Sequence, residues 1–197
     1  MRGVVFTSRK KDNIIFDFKP RKQSFLSNKS VKELMLDFLE FANNGELYEV
    51  SRFYININER DNSKSLKALE HYLIDHPDFT LDKILQKSTS IAMKPENAKT
   101  HKWLFDYDSD EGIRNFKYDL LKAGLKEDEI RIYKTVNHYS VVVDHGFDCR
   151  KLLTEYPCCE LKRDGMLCVR WAEHNPANEL NVTCDEIKLM SDDDEIK

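Results

Sequence analysis

The stretch Trp103-Leu104-Phe105-Asp106-Tyr107-Asp108 decides the fold that we predict for this chain. Its aromatic and aliphatic residues indicate a β-strand that ends in two aspartates. Residues i and i+2 of a strand point to the same side of a sheet, so Asp106 and Asp108 would present their carboxylates together. Adjacent carboxylates repel each other unless a cation lies between them. Because Mg²⁺ and Mn²⁺ favour oxygen ligands, we expect one of these metals at this strand end.

The same residues also fit an ordinary polar turn. In that interpretation Asp108 or Asp110 caps the following helix, because aspartate is a preferred N-cap residue. Asp110 and Glu111 are also near enough in sequence to contribute to a metal site. Whether Asp108 caps the helix therefore separates the two interpretations.

The predicted elements around this strand give an α+β protein. A helix over 111–123 and strands over 129–134 and 139–143 follow it, in the order of half a split β-α-β layer. Segments 158–161 and 166–171 are predicted to form a hairpin. The remaining predictions are a short helix over 147–156, strands over 3–7, 13–18 and 48–58, and helices over 31–41, 61–74 and 80–91. Leu81, Ile84 and Leu85 form the apolar stripe of the last of these helices.

Length and composition fit one globular domain with a charged surface. The chain has 197 residues, of which 41% are hydrophobic and 34% charged. We predict a basic N-terminal part with strands and a helix (1–45), an α/β core (46–172) and a polar acidic tail that can be partly disordered (173–197). No apolar run approaches the roughly 20 residues that a membrane helix needs, so no membrane association is expected.

The charge is unevenly distributed along the chain. The formal net charge is −4, yet residues 2–32 hold nine lysines and arginines against two aspartates, and residues 185–197 hold six acidic residues. This pattern suits a polyanion site and an interaction tail, and it equally suits a solvated surface. Five cysteines without a Cys-x-x-Cys pair favour a reducing cytoplasm. A zinc site that combines some of them with His174 is an alternative.

The loop Lys134-Thr135-Val136-Asn137-His138-Tyr139 is the second candidate site. It joins two predicted strands, and it would share a rim with the aspartates if all three strands lie in one sheet. Lys134, Thr135, Asn137 and His138 offer donors for phosphate, and Tyr139 offers a stacking face. An ordinary hairpin with polar residues would look the same.

A third candidate is the polar side of the strand over 48–58. Arg52, Tyr54, Asn56 and Asn58 alternate with apolar residues and would share one face of a sheet. Such residues suit polar recognition, and they also occur on any strand that faces solvent.

Three segments of the chain resemble, in this order, small proteins of tailed bacteriophages. They are Ser51-Arg52-Phe53-Tyr54-Ile55-Asn56-Ile57-Asn58, Lys102-Trp103-Leu104-Phe105-Asp106-Tyr107-Asp108 and Lys134-Thr135-Val136-Asn137-His138-Tyr139-Ser140-Val141-Val142. The resemblance covers roughly residues 45–172. Those phage proteins are in turn similar to the catalytic core of archaeo-eukaryotic-type primases and primase-polymerases.

The resemblance implies a primase-like core whose strands and helices follow in the order also found in RNA-recognition motifs. The fold expected from it is a single α+β domain with a mixed or antiparallel sheet, flanking helices and a split β-α-β half. The family's metal-binding Asp-x-Asp strand is matched by Asp106 and Asp108. Its second signature, similar to Asn-Gly-Tyr-His, is matched by Asn137-His138-Tyr139-Ser140, so Ser140 takes the place of the usual His. The family's third acidic residue has three candidates here: Asp144, Asp164 and Glu173.

Two functions from different classes follow. In the first, the chain is a phage nucleic-acid or nucleotide-binding protein, with metal-dependent nucleotidyl or phosphodiester chemistry at Asp106, Asp108 and His138 and with Mg²⁺ or Mn²⁺ bound by the two aspartates. Phosphate or nucleic acid would then contact Lys134, Thr135, Asn137, Tyr139 and Arg52. In the second, the chain is a non-catalytic factor in the cytoplasm of a bacterial host cell. It would bind a host protein or nucleic acid and so inhibit host defence or redirect host machinery. A structural or regulatory domain without a ligand is the remaining alternative.

Overall fold

The computed structural model describes residues 1–175, 182–183 and 186–187. Its strands are β1 (Arg2–Ser8), β2 (Arg21–Ser27), β3 (Val50–Asn56), β4 (Trp103–Tyr107), β5 (Ile130–Lys134), β6 (Tyr139–Val143), β7 (Cys159–Lys162), β8 (Met166–Glu173), β9 (Val182–Thr183) and β10 (Glu186–Ile187). Its α-helices are α1 (Met35–Asn43), α2 (Asn62–Asp75), α3 (Ile84–Ala92), α4 (Ile113–Lys122) and α5 (Arg150–Glu155). The predicted α+β class, with antiparallel strands and flanking helices, is confirmed.

The described residues divide into two units. The first unit comprises residues 1–100, 166–175 and 182–183, and the second comprises residues 101–165 and 186–187. Each unit contains one five-stranded antiparallel sheet. The strands are therefore distributed over two sheets, one in each unit.

The first unit has the strand order β2-β1-β3-β8-β9. Helix α1 packs on this sheet through aromatic side chains, and the Phe6 ring on β1 is at the centre of the cluster. Its centroid lies 4.9–5.8 Å from four other phenylalanine rings, those of Phe25, Phe38, Phe41 and Phe53. Phe6 and Phe53 are directly opposite each other on β1 and β3 and are both fully buried. Burial of these rings is a main source of stability for this unit.

A buried ion pair ties β2 to the segment that precedes β3. Arg21 donates from Nε to Glu49 Oε1 at 2.9 Å and from Nη1 to the carbonyl oxygen of Phe41 at 3.0 Å. The Glu49 carboxylate is only 1% exposed, and its other oxygen accepts from the backbone N–H of Glu46 at 2.9 Å. A buried carboxylate needs such partners because burial removes its hydration.

The second unit is a complete β-α-β-β-α-β layer. Its elements follow in the order β4, α4, β5, β6, α5, β7, and its sheet order is β10-β5-β6-β4-β7. The predicted half layer is thus extended by α5 and β7 to the full split β-α-β arrangement. One side of the sheet and the two helices enclose a core that includes Phe105, Tyr107, Phe116, Leu120, Val141 and Val143. Strand β4, which carries Asp106, lies between β6 and β7.

Local signals place the helix ends. Asp61 caps α2, because its side chain accepts from the backbone N–H of Lys64 at 3.0 Å. Gly124, with φ of 101°, follows α4, and the N–H of Leu125 bonds to the carbonyl of Leu120. This left-handed glycine with a six-to-one backbone bond is the usual way to end a helix.

Three expectations from the sequence are wrong. Residues 13–18 form a loop instead of a strand. Strands β7 and β8 do not pair as a hairpin, since β7 joins β4 and β8 joins β3. The predicted stripe of the helix over 80–91 does not face the core, since Leu81, which precedes α3, is 76% exposed and Leu85 is 80% exposed.

The division into segments 1–45, 46–172 and 173–197 stays a prediction, and most of the predicted acidic tail lies outside the described residues. Within the part of the chain that the structure describes, no helix has the length and apolar character needed to cross a membrane.

Candidate functional site

Asp106 lies on the side of β4 opposite the helices and is bound by a lysine. Lys162 Nζ on β7 donates to Asp106 Oδ2 at 2.6 Å and lies 3.4 Å from Glu160 Oε2. Partial burial lowers the pKa of Lys162, but the two carboxylates outweigh it and raise the pKa overall. The ammonium group therefore stays charged and neutralises Asp106.

Asp108 follows the end of β4 and is exposed. Its backbone N–H donates to the carbonyl of Cys158 at 2.9 Å, so the pairing between β4 and β7 continues one residue beyond Tyr107. This continued register places Asp108 on the same side of the sheet as Asp106. The N-cap residue of α4 is Gly112, without a side-chain cap. The alternative in which Asp108 or Asp110 caps that helix is therefore wrong.

Asp110 connects the loop after β4 to the hairpin between β5 and β6. Its Oδ1 accepts from Lys134 Nζ at 2.6 Å, and its Oδ2 lies 3.5 Å from His138 Nδ1. The hydrogen bond from Lys134 is the main reason why the pKa of Asp110 is below its usual value. Lys134 Nζ also lies 4.3 Å from the centroid of the Tyr139 ring. One carboxylate thus binds Lys134 and lies near His138, whose Nδ1 is buried and forms no hydrogen bond with the described residues.

The donor loop is a tight turn with internal bonds. Thr135 donates its backbone N–H to the carbonyl of His138 at 2.9 Å, and the N–H of His138 lies 3.3 Å from Thr135 Oγ. Asn137 is exposed at the tip. The Thr135 hydroxyl therefore shapes the turn, while the Asn137 amide is directed to the surface.

The aspartates and the donor loop lie on one rim of the second sheet, as predicted. Tyr139 at the start of β6 pairs with Tyr107 at the end of β4 and with Lys134 at the end of β5. A buried hydroxyl supports this rim: Tyr107 Oη donates to the carbonyl of Glu111 at 2.8 Å. Burial raises the pKa of Tyr107 to about 12, so the hydroxyl keeps its proton for this bond.

The position that the resemblance assigns to a histidine faces Asp106. Ser140 is directly opposite Asp106 in the pairing of β4 with β6, and it is 5% exposed. His138 instead points to Asp110. Of the candidates for the third acid, Asp144 lies beyond the other end of β6, where Arg131 and Lys102 bind it. Glu173 belongs to the first unit.

Sequence reasoning missed Glu160 and Lys162. Glu160 is directly opposite Asp106 in the pairing of β4 with β7. Segment 158–161 was predicted as a strand, and alternation along it would have placed Glu160 and Lys162 on one face. Their proximity to Asp106 depends on pairing with β4, which no local pattern indicates.

The donor set of Asp106 and Asp108 suits a hard divalent cation, since it consists of carboxylate oxygens. A cation that binds Asp106 has to displace the ammonium of Lys162. Within the described residues, no three or more His, Cys, Asp or Glu side chains are grouped closely enough to hold a metal ion. The zinc alternative gains no support from the described cysteines, which are all free thiols, and Cys184 lies outside the described residues.

Cys159 is expected to resist alkylation in the folded protein. Burial, with a smaller contribution from neighbouring groups, raises the pKa of its thiol to about 12. At pH 8.5 the thiolate fraction is then roughly a thousand times smaller than for an ordinary cysteine. We expect iodoacetamide to modify Cys159 of the wild type only after urea is added, as located by tandem mass spectrometry of the peptide that contains Cys158 and Cys159. Equal rates with and without urea would contradict this.

The third candidate, Arg52, belongs to the first unit. Its Nη2 donates to Asp12 Oδ1 at 2.7 Å, and its side chain is 11% exposed. The Asn58 amide oxygen accepts from Thr100 Oγ1 at 2.9 Å. The Arg52 Nη2 and Asn58 amide groups therefore have structural partners within their own unit, whereas the buried Arg52 Nε and Asn56 Oδ1 form no hydrogen bond with the described residues.

No family model, curated protein or solved structure in our comparisons matches the chain.

Proposed function

We propose that the second unit binds the phosphate groups of a nucleotide or nucleic-acid strand together with Mg²⁺ or Mn²⁺. Asp106 and Asp108 would hold the cation, and Lys134, Thr135, Asn137 and His138 would hold the phosphates beside Tyr139. The observation that carries the proposal is the Asp110 carboxylate, which joins the loop after the aspartates to the donor hairpin.

The cation half of the proposal depends on the charges around Asp106. A lysine ammonium already lies between the Asp106 and Glu160 carboxylates, so this surface stabilises positive charge. The Lys162 and Asp106 side chains are 36% and 34% exposed. Because ion pairs in contact with solvent contribute only about 0–1 kcal/mol, a divalent ion can replace the ammonium at little cost. Asp108 adds a second, solvent-exposed carboxylate.

The phosphate half depends on the hairpin. Lys134 is bound by Asp110, whose side chain is 63% exposed, and the buried His138 Nδ1 lies 3.5 Å from the same carboxylate without a hydrogen bond among the described residues. The terminal phosphate of a nucleotide or strand carries more negative charge than one carboxylate and offers more acceptor oxygens, so it competes effectively for these donors. The pairing of β4, β5 and β6 places Lys134 and Tyr139 on the helix side of the sheet with Tyr107, whereas Asp106 lies on the other side. A nucleotide or strand that contacts both groups would therefore cross the rim, with one phosphate at the donor hairpin and another at the cation.

The β-α-β-β-α-β layer supports the proposal, because it contains the split β-α-β half expected from the resemblance to primase cores. The resemblance itself stays a prediction, as do a phage origin and a place in the host cytoplasm. Fold alone does not establish function, so the proposal depends on the side chains of the rim.

Calorimetric titration with Mn²⁺ tests the cation site. We expect the wild type to bind and Asp108→Asn or Asp106→Asn to weaken binding at least about tenfold. Lys162→Met is the matched control, since it keeps both carboxylates and removes the competing ammonium. A unit charge about 4 Å away is worth about 1–4 kcal/mol, so this variant should bind Mn²⁺ about tenfold more tightly.

The same protein is then titrated with a nucleoside triphosphate in the presence of Mn²⁺. Lys134→Ala should reduce the affinity for the nucleotide and leave Mn²⁺ binding unchanged. Heats that are absent in the wild type, or that are equal in the wild type and both aspartate variants, would refute the proposal.

A non-catalytic binding function is the second candidate, and Ser140 favours it. With serine opposite Asp106, the site lacks the imidazole that the primase signature supplies. A wild type that binds Mn²⁺ and nucleotide but extends no primer on a single-stranded template would favour this candidate. Turnover that disappears in Asp106→Asn would exclude it.

A further inference from the structure

The connection between β1 and β2 displays two apolar side chains in solvent. Ile14 and Phe16 are 106% and 98% exposed, which is the full exposure of an isolated side chain. A tight turn places Phe16 at the tip: the N–H of Phe18 bonds to the carbonyl of Ile15 at 3.3 Å. Asp17 has φ of 53°, a conformation that aspartate tolerates better than most residues. We call residues 13–18 the Phe16 loop.

Both ends of the Phe16 loop are anchored in the first unit. Asn13 is 6% exposed, its amide group donates to the carbonyls of Arg9 and Val50 at 2.8 and 3.2 Å, and its Oδ1 accepts from the N–H of Val50 at 2.6 Å. Phe18 is buried, with 6% exposure. These anchors keep Ile14 and Phe16 from folding back onto the core.

The surroundings of the loop are positively charged. The strands on either side meet at Ser8 and Arg21, so the whole connection is one hairpin. Arg9 and Arg21 are paired with Asp12 and Glu49. The other cations of the hairpin are exposed and form no ion pair with the described residues: Lys10, Lys11, Lys19 and Lys22. Only Asp17 opposes them within the loop.

We propose that the Phe16 loop binds single-stranded nucleic acid. A base stacks on the exposed Phe16 ring beside Ile14, and the free lysines contact the backbone phosphates. This inference goes beyond the proposed function, because it concerns the first unit and needs no metal. An anionic membrane fits less well, since the two side chains bury less apolar surface than one myristoyl chain, which itself binds only marginally.

Fluorescence anisotropy with a labelled single-stranded DNA 20-mer, in EDTA and about 50 mM salt, tests the inference. We expect Phe16→Ala to weaken binding about tenfold, because stacking on an aromatic ring contributes that much per base. Phe16→Trp should restore the affinity, and its indole fluorescence should be quenched by the stacked base. Leu85→Ala, which also removes an exposed apolar side chain of the first unit, is the matched control and should bind as the wild type does.

The salt dependence of binding tests the contacts between the lysines and the backbone phosphates. Lys10→Ala/Lys11→Ala should reduce the slope of log affinity against log salt by about 1.4, since each phosphate contact on a single strand contributes about 0.7. Wild-type affinity in Phe16→Ala, or no binding of DNA by the wild type, would overturn the inference. Loss of binding to phosphatidylserine vesicles in Phe16→Ala, with DNA binding unchanged, would assign the loop to membranes instead.

Failure of this inference and failure of the metal site are distinguishable. The DNA titrations are done in EDTA and the Mn²⁺ titrations without DNA, so a missing cation site leaves the expected loss of DNA binding in Phe16→Ala unchanged. If Phe16→Ala binds normally while Lys134→Ala does not, the nucleic acid contacts the hairpin of the second unit alone, and the Phe16 loop has no part in binding.

Discussion

Replacing Phe116 with alanine is expected to lower the free energy of unfolding by about 3–5 kcal/mol. The Phe116 side chain on α4 has no exposed surface. Its ring centroid lies 5.6 Å from Phe105, 5.1 Å from Tyr107 and 5.0 Å from Tyr156. Truncation leaves a cavity beneath β4, the strand that carries Asp106. Urea denaturation followed by circular dichroism measures the loss.

Tyr118→Ala is the matched control for Phe116→Ala. It removes an aromatic ring from the same helix at a position that is 58% exposed. The change in helix propensity is similar, so the difference between the variants reports the packing of the ring. Similar losses of less than about 1 kcal/mol in both variants would show that Phe116 does not support the core in this way.

Arg21→Met is expected to cost about 3 kcal/mol of stability, for an electrostatic reason. It removes the partner of the Glu49 carboxylate, which among the described residues then keeps only the bond from the backbone of Glu46. Breaking a buried ion pair on one side is costly because the remaining charge stays without its counter-ion. Urea denaturation again gives the change in the free energy of unfolding.

A second substitution, Glu49→Gln, shows whether the unpaired Glu49 carboxylate causes the loss of stability in Arg21→Met. The double variant Arg21→Met/Glu49→Gln should recover part of the loss, because neither charge remains. Arg150→Met breaks an ion pair with Asp148 in which both side chains are mostly exposed, and it should change stability by less than about 1 kcal/mol. If the stability loss of the double variant equals the sum of the losses of the two single variants, the unpaired Glu49 charge is not the cause of the loss in Arg21→Met.

Local chemistry was sufficient to predict most of the second unit. Alternating apolar residues marked β6 at Tyr139–Val143, and the run of aromatic residues marked β4. Once these strands were known, the common rim of Asp108 and His138 followed from sheet geometry. What could not be predicted was which side chain meets which charge, since Lys162 reaches Asp106 only through the pairing of β7 with β4.

The errors share a physical cause. The turn Arg163-Asp164-Gly165 between two apolar runs fits a hairpin, yet each run pairs with a strand far away in the sequence. Alternation over 13–18 fits a strand, yet no strand in the described part of the chain pairs with this segment, and Ile14 and Phe16 remain in solvent. Strand propensity indicates that a segment can form a strand, but pairing with strands distant in the sequence decides whether and where it does so.

The pairing of β3 with β8 has a consequence for synthesis on the ribosome. Asn56 and Met166 are partners in the sheet, although 110 residues separate them in the chain. At about 5–20 residues per second, translation takes roughly 5–20 s to cover that distance. Throughout this interval β3 is paired with β1 on one side only, and its other edge offers free backbone groups to any neighbouring nascent chain. This edge of β3 therefore stays open to such pairing until β8 has been made.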